Sequence, residues 1–159
     1  PVTFEDLEAI DKDANVLVLD RVQDPGNIGT MIRTADAAGF QAVVLLKGSG
    51  DVYSPKVVRA AAGSLFRVPI VYMDDYDELV ASLKKANKKI VATGFETDKF
   101  YYDVDIKENT AIVIGNEGNG VSKELFDLAD EIVKIPMKGN IESLNAAVAA
   151  GILMYESMR

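Results

Sequence analysis

An arginine, a glutamate and two asparagines, spread over three glycine-punctuated segments, are the residues whose types and spacing could do chemistry in this 159-residue chain. The segments are Asn27 to Asp36, Ile112 to Gly120 and Ile132 to Asn145. The last two each pair a strand-like apolar run with a glycine-rich turn. Such turns bring backbone amides and carbonyls close to a flat ligand without side chains in the way. The expected chemistry is therefore that of a bound small molecule. Arg33 falls on the same helical side as Thr30 and Thr34, opposite Ile28, Met31, Ile32 and Ala35. Its guanidinium could clamp a phosphate or stabilise a developing oxyanion, or it could sit in solvent paired with Asp36. Glu117 would repel phosphate unless neutralised, with Arg33 as the candidate partner, or it is a solvated loop carboxylate. Asn145 stands alone among apolar neighbours, and a buried amide left unpaired costs about 1–3 kcal/mol. It is a structural pin or a ligand contact.

The remaining composition narrows the field. The chain has neither cysteine nor histidine, so Ser-His-Asp triads, Cys-His dyads, disulfides and nearly all zinc catalysis are excluded. Ser143 has no suitable base to make it a nucleophile and is expected to cap the final helix. Gly115 to Gly120 lacks the Lys-Ser/Thr ending of a P-loop and does not match the dinucleotide fingerprint. The dinucleotide fingerprint is missing after Leu19 as well, which disfavours a Rossmann-type enzyme. Pro1 to Glu5 shows no signal pattern and no apolar run is long enough to span a bilayer, so a soluble cytoplasmic protein without a membrane partner is expected. The net charge of −8 opposes nucleic-acid binding, which ordinarily needs a basic face.

These residues need a frame to hold them. Runs at Val16–Leu19, Ala42–Leu46, Val68–Tyr72, Lys89–Thr93, Ala111–Gly115 and Glu131–Pro136 are continuous and rich in β-branched residues, as strands covered on both faces are. Helical patterns lie between them at Asn27–Ala38, Ser54–Leu65, Asp75–Asn87, Ser122–Leu128 and Ser143–Met158, with Asn27 expected as the first N-cap. The fold class is α/β, a mostly parallel sheet with helices on both faces, in one domain over residues 1–159. Ligands of such sheets sit beyond the carboxyl ends of the strands, where all three segments fall. From Leu144 to Met154 only Asn145 is neither apolar nor glycine, so the last helix should be buried on every side, in the core or in a dimer interface. Lys56 and Arg59 share one helix face, either a small basic patch for a polyanion or a solvated surface. Tyr101 and Tyr102 could stack on a base, or pack.

Taken together, Asn27-x-Gly29-x-x-x-Arg33, Gly115-Asn116-Glu117-Gly118-x-Gly120 and Ile135-Pro136-Met137-x-Gly139-x-x-x-Ser143-Leu144-Asn145 resemble the three motifs of the SpoU (TrmH) family of RNA ribose 2′-O-methyltransferases, in the SPOUT superfamily. The resemblance runs from about residue 14 to the C-terminus. It implies a C-terminal deep trefoil knot, an exception to the rule that chains avoid threading. It implies S-adenosylmethionine as cofactor, held by Thr93, Gly115, Asn116, Gly120, Ile135, Met137, Leu144 and Asn145. It implies a catalytic set of Arg33, Asn27, Glu117, Ser143 and Asn145, acting on ribosomal or transfer RNA in a homodimer with no metal. The family commonly carries an N-terminal RNA-binding extension, and this chain starts almost at the catalytic domain. The same fold could also serve a catalytically idle RNA-binding or assembly protein, against which the intact Arg33, Glu117 and Asn145 argue.

Overall fold

The computed structural model describes residues 11, 13–141 and 143–159, so the N-terminal reading of Pro1 to Glu5 lies outside the described residues. Six strands form one sheet: β1 Val16–Asp20, β2 Ala42–Leu46, β3 Ile70–Met73, β4 Lys89–Thr93, β5 Thr110–Gly115 and β6 Glu131–Val133. All pairings are parallel, in the order β3-β2-β1-β5-β4-β6. Every residue of β1, β2 and β5 is buried, which is why these strands read as unbroken apolar runs. Successive side chains point to opposite faces. Leu17, Leu19, Val43 and Leu45 meet one helical layer, while Val16, Val18, Val44 and Leu46 meet the other.

The first layer holds α1 Pro25–Ala37, α2 Pro55–Ala61 and α5 Ala146–Glu156; the second holds α3 Tyr76–Lys85 and α4 Lys123–Leu128. The α/β class with helices on both faces is as expected. Gly29 lets α1 and α2 approach closely, since a Cβ there would stand 2.4 Å from the Ala60 Cβ and 2.8 Å from the Val57 carbonyl oxygen. No helix among the described residues is long and apolar enough to cross a membrane.

Three helix boundaries differ from expectation. Asp24, not Asn27, caps α1, accepting the Asn27 amide at 2.9 Å, because Pro25 supplies a helical φ at the first position and needs no donor. Asn27 is thereby carried into the first turn with its side chain free for other work. Asn145, not Ser143, caps α5, accepting the Ala147 and Val148 amides at 2.8 and 3.2 Å. The expected Ser54–Leu65 helix ends at Ala61, where Ala62 and Gly63 turn left-handed (φ 51° and 89°) before a 3₁₀ turn at Ser64–Phe66. Nor is α5 buried all round within one chain. Ala147, Ala150, Leu153 and Met154 enter the core, while Val148 and Tyr155 remain 52% and 51% exposed.

Candidate functional site

Register decides what meets at the sheet edge. Asp20, the last residue of β1, pairs with Gly115, the last of β5, so the chain leaving each strand must pass the other. Gly115 is crowded from outside: a Cβ there would lie 2.1 Å from Gly120 C and Val121 N. The loop after it is closed by Asn116, whose backbone bonds Gly120 in both directions (3.1 and 2.8 Å). The Asn116 carboxamide accepts from the Gly118 and Asn119 amides and donates to the Arg21 carbonyl at 2.8 Å. Asp20, fully buried, accepts from the Ser122 amide at 2.7 Å, the Tyr76 hydroxyl at 2.9 Å and the Arg21 Nε at 3.3 Å. These bonds fix both ends of the glycine loop and aim Glu117 at the start of α1.

There the Glu117 carboxylate accepts from the Asp24 amide at 2.8 Å, the Gln23 amide at 3.1 Å and the Asn27 Nδ2 at 3.3 Å. The amide directions form one consistent chain. Asn145 Oδ1 is taken by the first amides of α5, so its Nδ2 faces Asn27 Oδ1 at 3.1 Å, which leaves the Asn27 Nδ2 for Glu117. The expectation that Asn145 is buried is corrected: it is exposed, and its polarity is answered by the helix amides and Asn27. An open cleft of about 490 Å³ is lined by Gln23, Asp24, Asn27, Glu117, Ser143, Leu144, Asn145 and Ala146. That is room for a nucleoside-sized group.

Partial burial pushes the Glu117 carboxyl up, but the amides of Asp24 and Gln23 and the Asn27 carboxamide favour the charged form, and the net effect holds it below its ordinary 4.5. A carboxylate with a lowered folded-state value stabilises the fold above its unfolded value and loses that contribution as pH falls through the folded one. Thermal unfolding followed across acidic pH should therefore show Glu117→Gln less stable than the parent near neutrality, with the gap narrowing below pH about 4. An unchanged gap would mean that the carboxylate charge contributes nothing.

Arg33 lies elsewhere. It is exposed on the outward side of α1 with Thr30, and among the described residues its side chain has no hydrogen bond or ion pair. Both partners expected for it are engaged otherwise: Glu117 by amides, and Asp36 by the Arg67 guanidinium at 2.8 Å and the Ser64 hydroxyl at 2.9 Å. Arg67 and Ser64 hold the Asp36 carboxyl below its usual range. Asn27, Glu117, Ser143, Leu144 and Asn145 share the cleft wall; Arg33, Thr93, Gly115, Asn116, Gly120, Ile135 and Met137 do not line it. Thr93 ends β4 with its hydroxyl on the Val113 carbonyl at 3.2 Å. Gln23 and Asp24 were missed as site residues, although Asp24 before Pro25 is a helix-start signal. Asp20 was missed too, its cue being a carboxylate closing an otherwise apolar strand.

The donor set suits an adenosine group. Ile135, Met137 and Leu144 are half-buried, and among the described residues the backbone of 135–141 makes no hydrogen bond within the chain. Half-buried apolar side chains beside unbonded backbone amides and carbonyls are what an adenine edge requires.

This chain matches the SpoU rRNA Methylase family over residues 14–155 and belongs to that family. It is 45% identical over 140 residues to 23S rRNA (guanosine(2553)-2'-O)-methyltransferase RlmP of Bacillus subtilis, covering 88% of this chain and 56% of that one. It is 37% identical over 153 residues to 23S rRNA (guanosine-2'-O-)-methyltransferase RlmB of Xanthomonas campestris, covering 96% and 61%. Among solved structures, the SpoU methyltransferase AviRb of Streptomyces viridochromogenes superposes with a TM-score of 0.92 at 36% identity, over 99% of this chain and 63% of that one. An AdoMet-bound rRNA methyltransferase from Sinorhizobium meliloti gives 0.89 at 36% identity, over 95% and 59%. The chain thus spans less than two-thirds of the length of each.

Proposed function

We propose that this chain methylates a ribose 2′-hydroxyl of RNA with S-adenosylmethionine, and that ribosomal RNA is favoured over transfer RNA. The observation that carries the reading is the hydrogen-bonded chain Glu117–Asn27–Asn145, which ties the three motif segments into one cleft wall. Bound at Thr93, Gly115, Asn116, Gly120, Ile135, Met137, Leu144 and Asn145, S-adenosylmethionine supplies an electrophilic methyl group on sulfonium. Leu144, Met137 and Ile135 give the adenine an apolar slot, and the free backbone of 135–141 reads its edge. Arg33 takes the phosphate of the target nucleotide and stabilises the 2′-oxygen as its proton passes to solvent water, since a guanidinium offers a rigid fork of donors. Asn27, Glu117, Ser143 and Asn145 hold the ribose for in-line attack, so that positioning supplies most of the rate.

Two structural proposals accompany this. The loops 115–120 and 135–145 form a deep trefoil knot. The exposed Val148 and Tyr155 of α5 pack against a second copy, which brings Arg33 of one protomer toward the cofactor of the other. The same reading places the protein in the cytoplasm, with which a cysteine-free chain is compatible.

Titration calorimetry with S-adenosylmethionine, and with a nicotinamide dinucleotide as control, tests the cofactor. Binding of the former alone, near one per protomer, is the expected result, followed by label transfer from methyl-tritiated cofactor to 23S rRNA transcripts. Binding of the dinucleotide, or of neither by a folded protein, would overturn the reading.

A further inference from the structure

The acidic balance of the chain hides a basic stretch. Residues 21–67, which build α1, β2, α2 and the 3₁₀ turn, carry six Lys and Arg against three Asp and no Glu, in a chain of net charge −8. Two of these cations are spent within the fold, Arg21 on Asp20 and Arg67 on Asp36. Arg33, Lys56 and Arg59 are exposed, and among the described residues none meets a carboxylate within ion-pair distance.

Packing puts these three on one surface that begins at the cleft. Lys56 Cε lies 3.9 Å from the point where a Cβ on Gly26 would stand, and Asp24 Oδ1, of the cleft wall, lies 3.1 Å from the same point. Asp24 Oδ1 is occupied by the Asn27 amide. Arg59 follows Lys56 at i+3, on the same side of α2. Gly29 of α1 faces Ala60 and Val57 of α2, and Arg33 follows Gly29 at i+4, so it rises beside the same α1–α2 seam. Lys56 thus stands beside Asp24 of the cleft wall, with Arg59 one turn on along α2 and Arg33 one turn beyond Gly29 along α1.

We infer that this α1–α2 face is an RNA-backbone strip, in which Lys56 and Arg59 neutralise phosphates flanking the nucleotide whose ribose enters the cleft. The inference rests on the methyltransferase reading and extends it from the reacting ribose to the strand around it. Charge complementarity selects the partner: a polyanion is what a locally positive, unpaired face attracts on an otherwise acidic protein. The strip also answers the objection raised by net charge, because local field rather than the total decides where phosphates dock. Neither residue is required for cofactor binding or for the chemical step.

The test compares the parent with Lys56→Gln/Arg59→Gln and Lys56→Glu/Arg59→Glu, using a fluorescein-labelled single-stranded oligoribonucleotide of mixed sequence at several NaCl concentrations. Calorimetry with S-adenosylmethionine, thermal unfolding and solution mass are measured on each protein. The neutral pair should lower RNA affinity roughly 10-fold at moderate salt and reduce the salt slope by about 1.4, some 0.7 per phosphate lost. The charge-reversed pair should lower affinity further, with cofactor affinity and unfolding temperature unchanged. Retention of both affinity and slope would overturn the inference, as would a changed mass at constant slope, which would assign the face to a second copy. A parent that binds S-adenosylmethionine but no RNA overturns the strip alone; one that binds neither overturns the reading beneath it.

Discussion

Arg33→Ala is expected to lower methyl transfer to RNA by 10²-fold or more while cofactor affinity and unfolding temperature stay at parental values. The guanidinium is exposed, with no partner among the described residues, so its removal leaves no buried group unpaired and no cavity. A loss of this size matches removal of one donor from a developing oxyanion, about 3 kcal/mol of transition-state stabilisation. Arg33→Lys separates two contributions. It retains the charge but not the planar fork, so recovery of only part of the rate points to bidentate contact with phosphate or ribose. Single-turnover kinetics with saturating RNA distinguishes a slower chemical step from weaker binding. Full activity in Arg33→Ala would remove Arg33 from the proposed mechanism and leave the cleft residues to account for it.

Gly115→Ala should act in the opposite way, through the fold. The added methyl meets Gly120 C and Val121 N at 2.1 Å and the Gly120 carbonyl oxygen at 2.5 Å, all backbone atoms that no rotamer change can clear. Overpacking of this kind costs about 3 kcal/mol, which for a domain of this size lowers the unfolding temperature by roughly 6–12 °C. The loop 116–120 must move outward, taking Glu117 from the Asp24 and Gln23 amides and breaking the Asn116–Gly120 bonds. Binding of S-adenosylmethionine should fall below detection. Gly118→Ala is the matched control. A Cβ there meets only Asn116 Oδ1, at an ordinary 3.6 Å, so stability should change little. Equal unfolding temperatures for both variants would show that the crowding at Gly115 is relieved at no cost.

The contrast between these two predictions follows what each level of organisation can specify. Residue type and period revealed the strands, because a strand buried on both faces must be apolar at every position, and β1, β2 and β5 are. They also revealed the outward face of α1, because Ile28, Met31, Ile32 and Ala35 repeat at helical spacing and leave Arg33 on the other side. The three glycine-bearing segments, in order, identified the family without reference to shape. Helix caps were less legible, since Asn27, Asp24, Ser143 and Asn145 are all competent cap residues and the choice depends on where the chain enters the turn.

Partnership was the part that sequence could not supply. Asp20 stands beside Gly115 only because β1 and β5 are neighbours, although their residues are 95 positions apart along the chain. That adjacency brings the loop of Glu117 to the start of α1, and it is why backbone amides rather than Arg33 satisfy the carboxylate. A backbone N–H leaves no mark in residue identity, so no spacing rule could have named it as the partner. The basic strip is divided in the same way. The surplus of Lys and Arg in residues 21–67 is a property of the sequence alone. Its gathering beside the cleft wall follows from the packing of α2 against α1, permitted because Gly29 presents no side chain to Ala60. Apolar period and residue chemistry determined the elements and the reacting groups; strand order and helix contact decided which of those groups meet.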